Sequence, residues 1–231
     1  MKKHNFTLTE AVVICVMAAL CVVVAVPAVN GSAAQGKNVG CMNNLRKIGG
    51  YVQIYADQNK DRIAGMNKNY TAAYESLGIS CDFSDTHYSP QNLLIKSGVF
   101  GFTPTNMEDL RTDLTTVGKY YQCPSDSSVF KVEDGNIHTS YAFFIISGDY
   151  DKNYTNDTNG GAARQIVGRH NPGNVIVADY IKRNGWDESD CHPNDAGLLY
   201  LGGHVKRMAM PDSLTDKMTN NKYFFDLIDE R

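Results

Sequence analysis

The sequence predicts an α+β fold: one long N-terminal helix, membrane-spanning in its first half, packed on a small antiparallel β-sheet. Three observations predict it. An apolar run from Ala11 to Val29 carries no charge and is led by Lys2, Lys3 and the lone acid Glu10. Beyond it, apolar residues recur at Val39, Met42, Leu45, Ile48, Val52 and Tyr55, the three-and-four spacing of one helical face. Short β-branched and aromatic runs broken by turn residues then occupy the second half of the chain.

The apolar run comes first. At about 1.5 Å per residue, Ala11–Val29 is roughly 28 Å of helix, near the hydrocarbon thickness of a bilayer. Lys2 and Lys3 before it predict a single-pass topology with the N-terminus in the cytoplasm. A cleaved secretory signal is the competing reading, with Ser32-Ala33-Ala34 as its small-residue site, but such apolar regions run only about 7–15 residues. Pro27 is expected to bend or locally melt the helix, because proline lacks the amide hydrogen and crowds the preceding turn. Gly31, Gly36, Gly40 and Gly49-Gly50 lower helix propensity by about 1 kcal/mol each and permit close packing. The helix is expected to run from Phe6 to about Asn59.

The rest, residues 60–231, is long enough for one domain with its own core. Asn67–Asp85 reads as loop. Ser89-Pro90-Gln91-Asn92-Leu93-Leu94-Ile95 reads as a short helix with Pro90 at its first position, and Met107–Leu110 as a further turn. Tyr120–Pro124, Ser140–Ser147 and Asn174–Ala178 read as strands. Leu198–Leu201 and His204–Met208, joined by Gly202-Gly203, read as a hairpin. Thr219–Arg231 reads as a tail or short helix.

Lys and Arg number 22 against 25 Asp and Glu, with no basic stripe, so nucleic acid is not an expected partner. There is no Walker-type loop, no Gly-x-Gly-x-x-Gly after a strand, no Cys-x-x-Cys pair and no internal repeat. Cys15 and Cys21 lie in the apolar run, where they act as small apolar residues. Cys41, Cys81, Cys123 and Cys191 follow, an even number allowing three pairings, against the alternative of four reduced thiols. Asp149, Asp151 and Asn153 have the alternating oxygen spacing of a calcium loop, although Tyr154 and Gly160 stand where an EF-hand has glycine and an acid. Ca²⁺ there and a solvated hairpin loop both stay open, and no other cofactor is expected. His170, Asp179, His192 and His204 raise an anchored or secreted metal-dependent hydrolase, but none of these pairs has the close helical spacing of zincins. A plain single-span anchored binding protein is the other alternative.

Phe6-Thr7-Leu8-Thr9-Glu10 followed by an apolar helix resembles the N-terminal cleavage and methylation segment of type IV pilins and type II secretion pseudopilins. Three further stretches continue the likeness: Cys41–Gly49 with Tyr55-Ala56-Asp57, Cys123-Pro124-Ser125-Asp126, and His192 followed by nine residues and Gly202-Gly203. Asn5 stands where the family has Gly before the cut, and Gly202 where its C-terminal signature has Asp, so no role of that carboxylate carries over.

The resemblance implies a pilin-like fold with a leader of residues 1–5, a helix of 6–59 with its membrane segment at 11–29, and a globular domain of 60–231. It implies cleavage between Asn5 and Phe6 by a prepilin peptidase, and N-methylation of Phe6. Glu10 would pair with the amine of a neighbouring subunit, with Pro27 where such helices often carry a proline. It implies a non-enzymatic filament subunit at the bacterial inner membrane or cell surface. Its partners would be copies of itself, other pilin-like subunits, an inner-membrane assembly platform and membrane lipid. It also implies disulfides Cys41–Cys123 and Cys81–Cys191, the first joining two shared motifs.

Overall fold

The structure, a computed structural model, describes residues 8–65, 74–79, 89–101, 114–133, 136–157, 161–180, 191–192, 195–210 and 221–230. In chain order the elements are α1 (Leu8–Gln58), β1 (Tyr74–Ile79), α2 (Pro90–Lys96), α3 (Leu114–Tyr121), β2 (Lys131–Glu133), β3 (Asn136–Ile145), a 3-10 helix (Gly148–Asn153), β4 (Val175–Asp179), β5 (Asp195–Tyr200), β6 (Val205–Ala209) and α4 (Asn221–Ile228). The chain divides into two compact units, Met1–Val39 and Gly40–Arg231.

In the first unit the helix assignment continues through Pro27. Val12, Val13, Ile14, Val16 and Met17 are each more than half exposed.

The second unit is built on an antiparallel sheet in the order β1-β3-β4-β5-β6, with β2 added beside β3. Its long central strand, β3, alternates by the two-residue period of a strand. Tyr141 and Phe143 face one core with Cys41, Leu45, Ile48 and Val52 of α1, Leu94 and Ile95 of α2, and Tyr121 of α3. Ala142 and Phe144 face a second core with Phe224, Phe225 and Ile228 of α4. Burial on both faces explains why β4 is apolar nearly throughout rather than alternating.

Glycines set the closest approaches. A Cβ at Gly49 would lie 2.8 Å from Leu199 Cδ1, and one at Gly197 would lie 2.6 Å from Leu45 Cδ1. The backbones of α1 and β5 therefore approach closely because neither position carries a side chain. At the β5–β6 hairpin, Gly203 has φ +85° and donates its amide to Tyr200 O at 2.8 Å. Gly202, the position where the resemblance expects Asp, would put a Cβ 3.0 Å from Pro172 Cβ.

The fold class expected from the sequence needs correction. Among the described residues no helix is long and apolar enough to cross a membrane. The membrane-spanning segment at 11–29, the transmembrane description and the single-pass inner-membrane placement are corrected accordingly. Nor is it a long helix that packs on the sheet: the α1 residues in the sheet's core come from the Gly40–Gln58 part of the second unit.

Smaller corrections concern local elements. Tyr120–Pro124 was expected as a strand, but α3 ends at Tyr121. Tyr121 is buried, with its ring 5.6 Å from Phe100 and 6.2 Å from Phe143, so tertiary packing outweighs the strand preference of paired tyrosines. β1 lies inside the stretch read as loop. Ser89 caps α2 by accepting from Asn92 N, with Pro90 in the first turn. Met107–Leu110 lies outside the described residues.

Candidate functional site

The buried point where α1, α3, β4 and β5 meet is the most chemically loaded part of the molecule. Asp179 closes β4, and its register opposite Tyr141 puts it in the same row as Val177 and Phe143, on the α1 side of the sheet. Gly197 of β5 donates its amide to Asp179 Oδ2 at 2.8 Å. From above, α1 brings Cys41, whose Sγ is bonded to Cys123. Closing a loop across 82 positions stabilises by about 4 kcal/mol in the chain-entropy account.

Cys123 is held in place by the residue three positions on. Asp126 Oδ1 accepts from Ser128 N at 2.8 Å and Val129 N at 2.7 Å. Its Oδ2 accepts from Phe130 N at 2.7 Å and from the Ser140 hydroxyl of β3. Cys-Pro-Ser-Asp is thus a loop clamp: the Asp locks the turn so that the Cys meets α1.

His192 completes the cluster. Its Nε2 lies 3.3 Å from Asp179 Oδ2 and 3.3 Å from Cys123 Sγ. Its Nδ1 lies 3.2 Å from Arg207 Nη2, and Arg207 is itself locked bidentately to Asp195, with Nε to Oδ2 at 2.6 Å. A guanidinium only donates, so Nδ1 is the acceptor and the ring proton sits on Nε2, directed at Asp179 and the disulfide sulfur. Burial, with Arg207 beside it, holds the imidazole below its ordinary value. Burial likewise pushes the Asp179 carboxyl up to about 7, against the opposing pull of the Gly197 amide and Arg207. Both shifts disfavour the charged forms.

Cys191 is a free buried thiol whose Sγ donates to Ser140 O at 3.4 Å. Burial pushes it far above the ordinary thiol range, which leaves it a protonated, poor nucleophile. The Cys81–Cys191 bond implied by the resemblance is absent at Cys191, and Cys81 lies outside the described residues.

Neither the family models, the curated proteins nor the solved structures give a match to this chain. The pilin-like and secretion-system descriptions of the sequence therefore gain no support from known proteins.

Of the four residues that raised a hydrolase, only Asp179 and His192 come together among the described residues. His170 instead accepts from Gln165 N and Ile166 N through Nδ1, at 2.9 and 3.2 Å. His204 stacks on Tyr200 with centroids 4.3 Å apart and meets Glu230 at 3.1 Å. Asp149, Asp151 and Asn153 lie on the 3-10 helix, where the Asp151 carboxylate accepts from Gly161 N and Ala163 N. Asn5 and Phe6 lie outside the described residues, whereas Glu10 and Pro27 are in α1.

Sequence reading missed two arrangements. One is the Arg207–Asp195 pair that fixes the ring of His192. The other is buried Arg164, whose Nη1 and Nη2 meet Asp229 at 3.1 and 2.9 Å while its guanidinium covers the Phe225 ring. An arginine after Gly161-Ala162-Ala163 carries no periodic signal of burial; only its distant partner on the C-terminal segment explains it.

Proposed function

We propose that this chain is a non-enzymatic structural subunit of a pilus-like filament, assembled with copies of itself through the N-terminal part of α1. The observation that carries the reading is the exposure of Val12, Val13, Ile14, Val16 and Met17, a helical segment apolar around more than one face. A helix that is apolar all round needs an apolar neighbour, and identical helices side by side supply one. Glu10, in the turn before, would be neutralised by the freed amine of Phe6 on the adjacent copy after a prepilin peptidase cuts behind Asn5.

The buried cluster supports a structural rather than catalytic reading. Its sulfurs are bonded to each other, its free thiol is protonated, and its imidazole is held by Arg207 on one side and Asp179 on the other. The test is substitution at the acid. Glu10→Ala should leave the domain folded and abolish co-assembly into fibres seen by electron microscopy. Fibres at normal yield from that variant would defeat the proposal.

A further inference from the structure

We propose that Cys41, Cys123, His192 and Asp179 form a redox-gated site for one zinc ion, so that α1 is clamped to the sheet by a disulfide when oxidised and by the metal when reduced. The Sγ atoms of Cys41 and Cys123, a ring nitrogen of His192 and a carboxylate oxygen of Asp179 all lie within 4.8 Å of one another, and all four residues are buried. Ligand atoms around a tetrahedral zinc are about 3.4–3.8 Å apart, given Zn–S near 2.3 Å and Zn–N and Zn–O near 2.1 Å. Small side-chain adjustments close that difference once the two sulfurs part.

A second observation points to a ligand independently. Asp179 is 1 % exposed and its Oδ1 has no hydrogen-bond partner, while Oδ2 is already held by the Gly197 amide. A buried carboxylate oxygen without a partner is costly unless a cation uses it, and the other oxygen of the same carboxylate already lies 3.3 Å from the imidazole. Two thiolates, one imidazole and one carboxylate are a donor set suited to zinc. With four protein ligands the site is closed, leaving no position for a reacting water, so the ion is structural.

The far side of the imidazole faces Arg207 and Asp195. Loading zinc on His192 Nε2 moves the ring proton to Nδ1, so Arg207 Nη2, now 3.2 Å away, has to swing aside and Asp195 Oδ1, now 3.9 Å away, has to close in as the acceptor. The chemistry balances with a dithiol as reductant. Its two thiols give two electrons and two protons to the Cys41–Cys123 bond, leaving two protein thiols and an oxidised cyclic disulfide. Zinc then displaces both thiol protons, and Asp179 binds as its carboxylate. The cyclic disulfide in excess runs the exchange in reverse: it takes two electrons from the two thiolates and two protons from solvent to become the dithiol again, the Cys41–Cys123 bond re-forms and the ion leaves. This clamp is independent of the filament reading, since it concerns only residues of the second unit.

The test uses the full chain, reduced with a dithiol, freed of it anaerobically and titrated with zinc alone. One zinc per chain is expected by elemental analysis for the reduced protein and none for the oxidised protein. Cobalt in place of zinc should show thiolate charge-transfer absorption with tetrahedral d–d bands. Asp179→Asn and His192→Gln should each weaken binding at least about tenfold, whereas Cys191→Ser should not. Because these variants keep the disulfide, circular dichroism of their oxidised forms establishes folding separately from metal binding. Equal zinc uptake by oxidised and reduced chains would overturn the proposal. So would wild-type affinity in folded Asp179→Asn and His192→Gln, since zinc would then be held by other thiols.

Discussion

His170 and Asp229 show how single polar side chains hold this domain together. His170 Nδ1 must keep a lone pair to accept the amides of Gln165 and Ile166. Burial, then the charge of Arg169, holds its pKa below the ordinary 6.5. A depressed imidazole contributes stability that is complete above the unfolded value and is lost as pH falls through the folded one. His170→Asn keeps an acceptor but cannot titrate. The stability advantage of the wild type over this variant should therefore shrink between about pH 7.5 and about pH 5 in urea titrations. An advantage that grows on acidification would contradict the assignment. Asp229 carries more. It accepts from Arg164 and from Val175 N, with both members of the ion pair fully buried. Asp229→Ala strands a buried guanidinium and should cost about 3–5 kcal/mol in equilibrium unfolding. A loss below about 1 kcal/mol would show that the pair is not desolvated as the structure has it.

At the scale of elements, the α1–β5 contact depends on which glycines have neighbours. Gly197→Ala would force a Cβ toward Leu45 Cδ1 and Asp179 Oδ2, at 2.6 and 3.0 Å. It should destabilise by about 1–3 kcal/mol. Gly50, on the exposed side of the same helix, has nothing within 4 Å of its would-be Cβ, and Gly50→Ala should stabilise by about 0.5–1 kcal/mol. Thermal melts of the two variants that move in the same direction would contradict this account of the contact.

These elements also show what the sequence could convey. The spacing of Leu45, Ile48 and Val52 identified the buried face of α1 because helical periodicity is a local signal. Val39, counted on that same face, is exposed, because it lies in the first unit and outside the sheet's core. The β5–β6 hairpin was legible from its glycine pair for the same local reason. β1 was not, since Tyr-Glu-Ser-Leu-Gly-Ile has no sustained alternation and owes its place to pairing with β3. The site was legible only in pieces. Cys41, Cys123 and His192 each stood out, but their meeting at Asp179 depends on sheet register, which no single segment encodes.

At the scale of the molecule, α1 links an apolar segment to a domain cored on both faces of its sheet. The sequence reading departs most from the structure here, because among the described residues no helix is long and apolar enough to cross a membrane. The account now rests on the segment being kept and placed against copies of itself. The most direct measurement is the intact mass of the protein purified from cells that make it. The account requires a chain that begins at Phe6 with one added methyl group. A mature chain that begins at Gln35, stripped of the apolar segment, would contradict it.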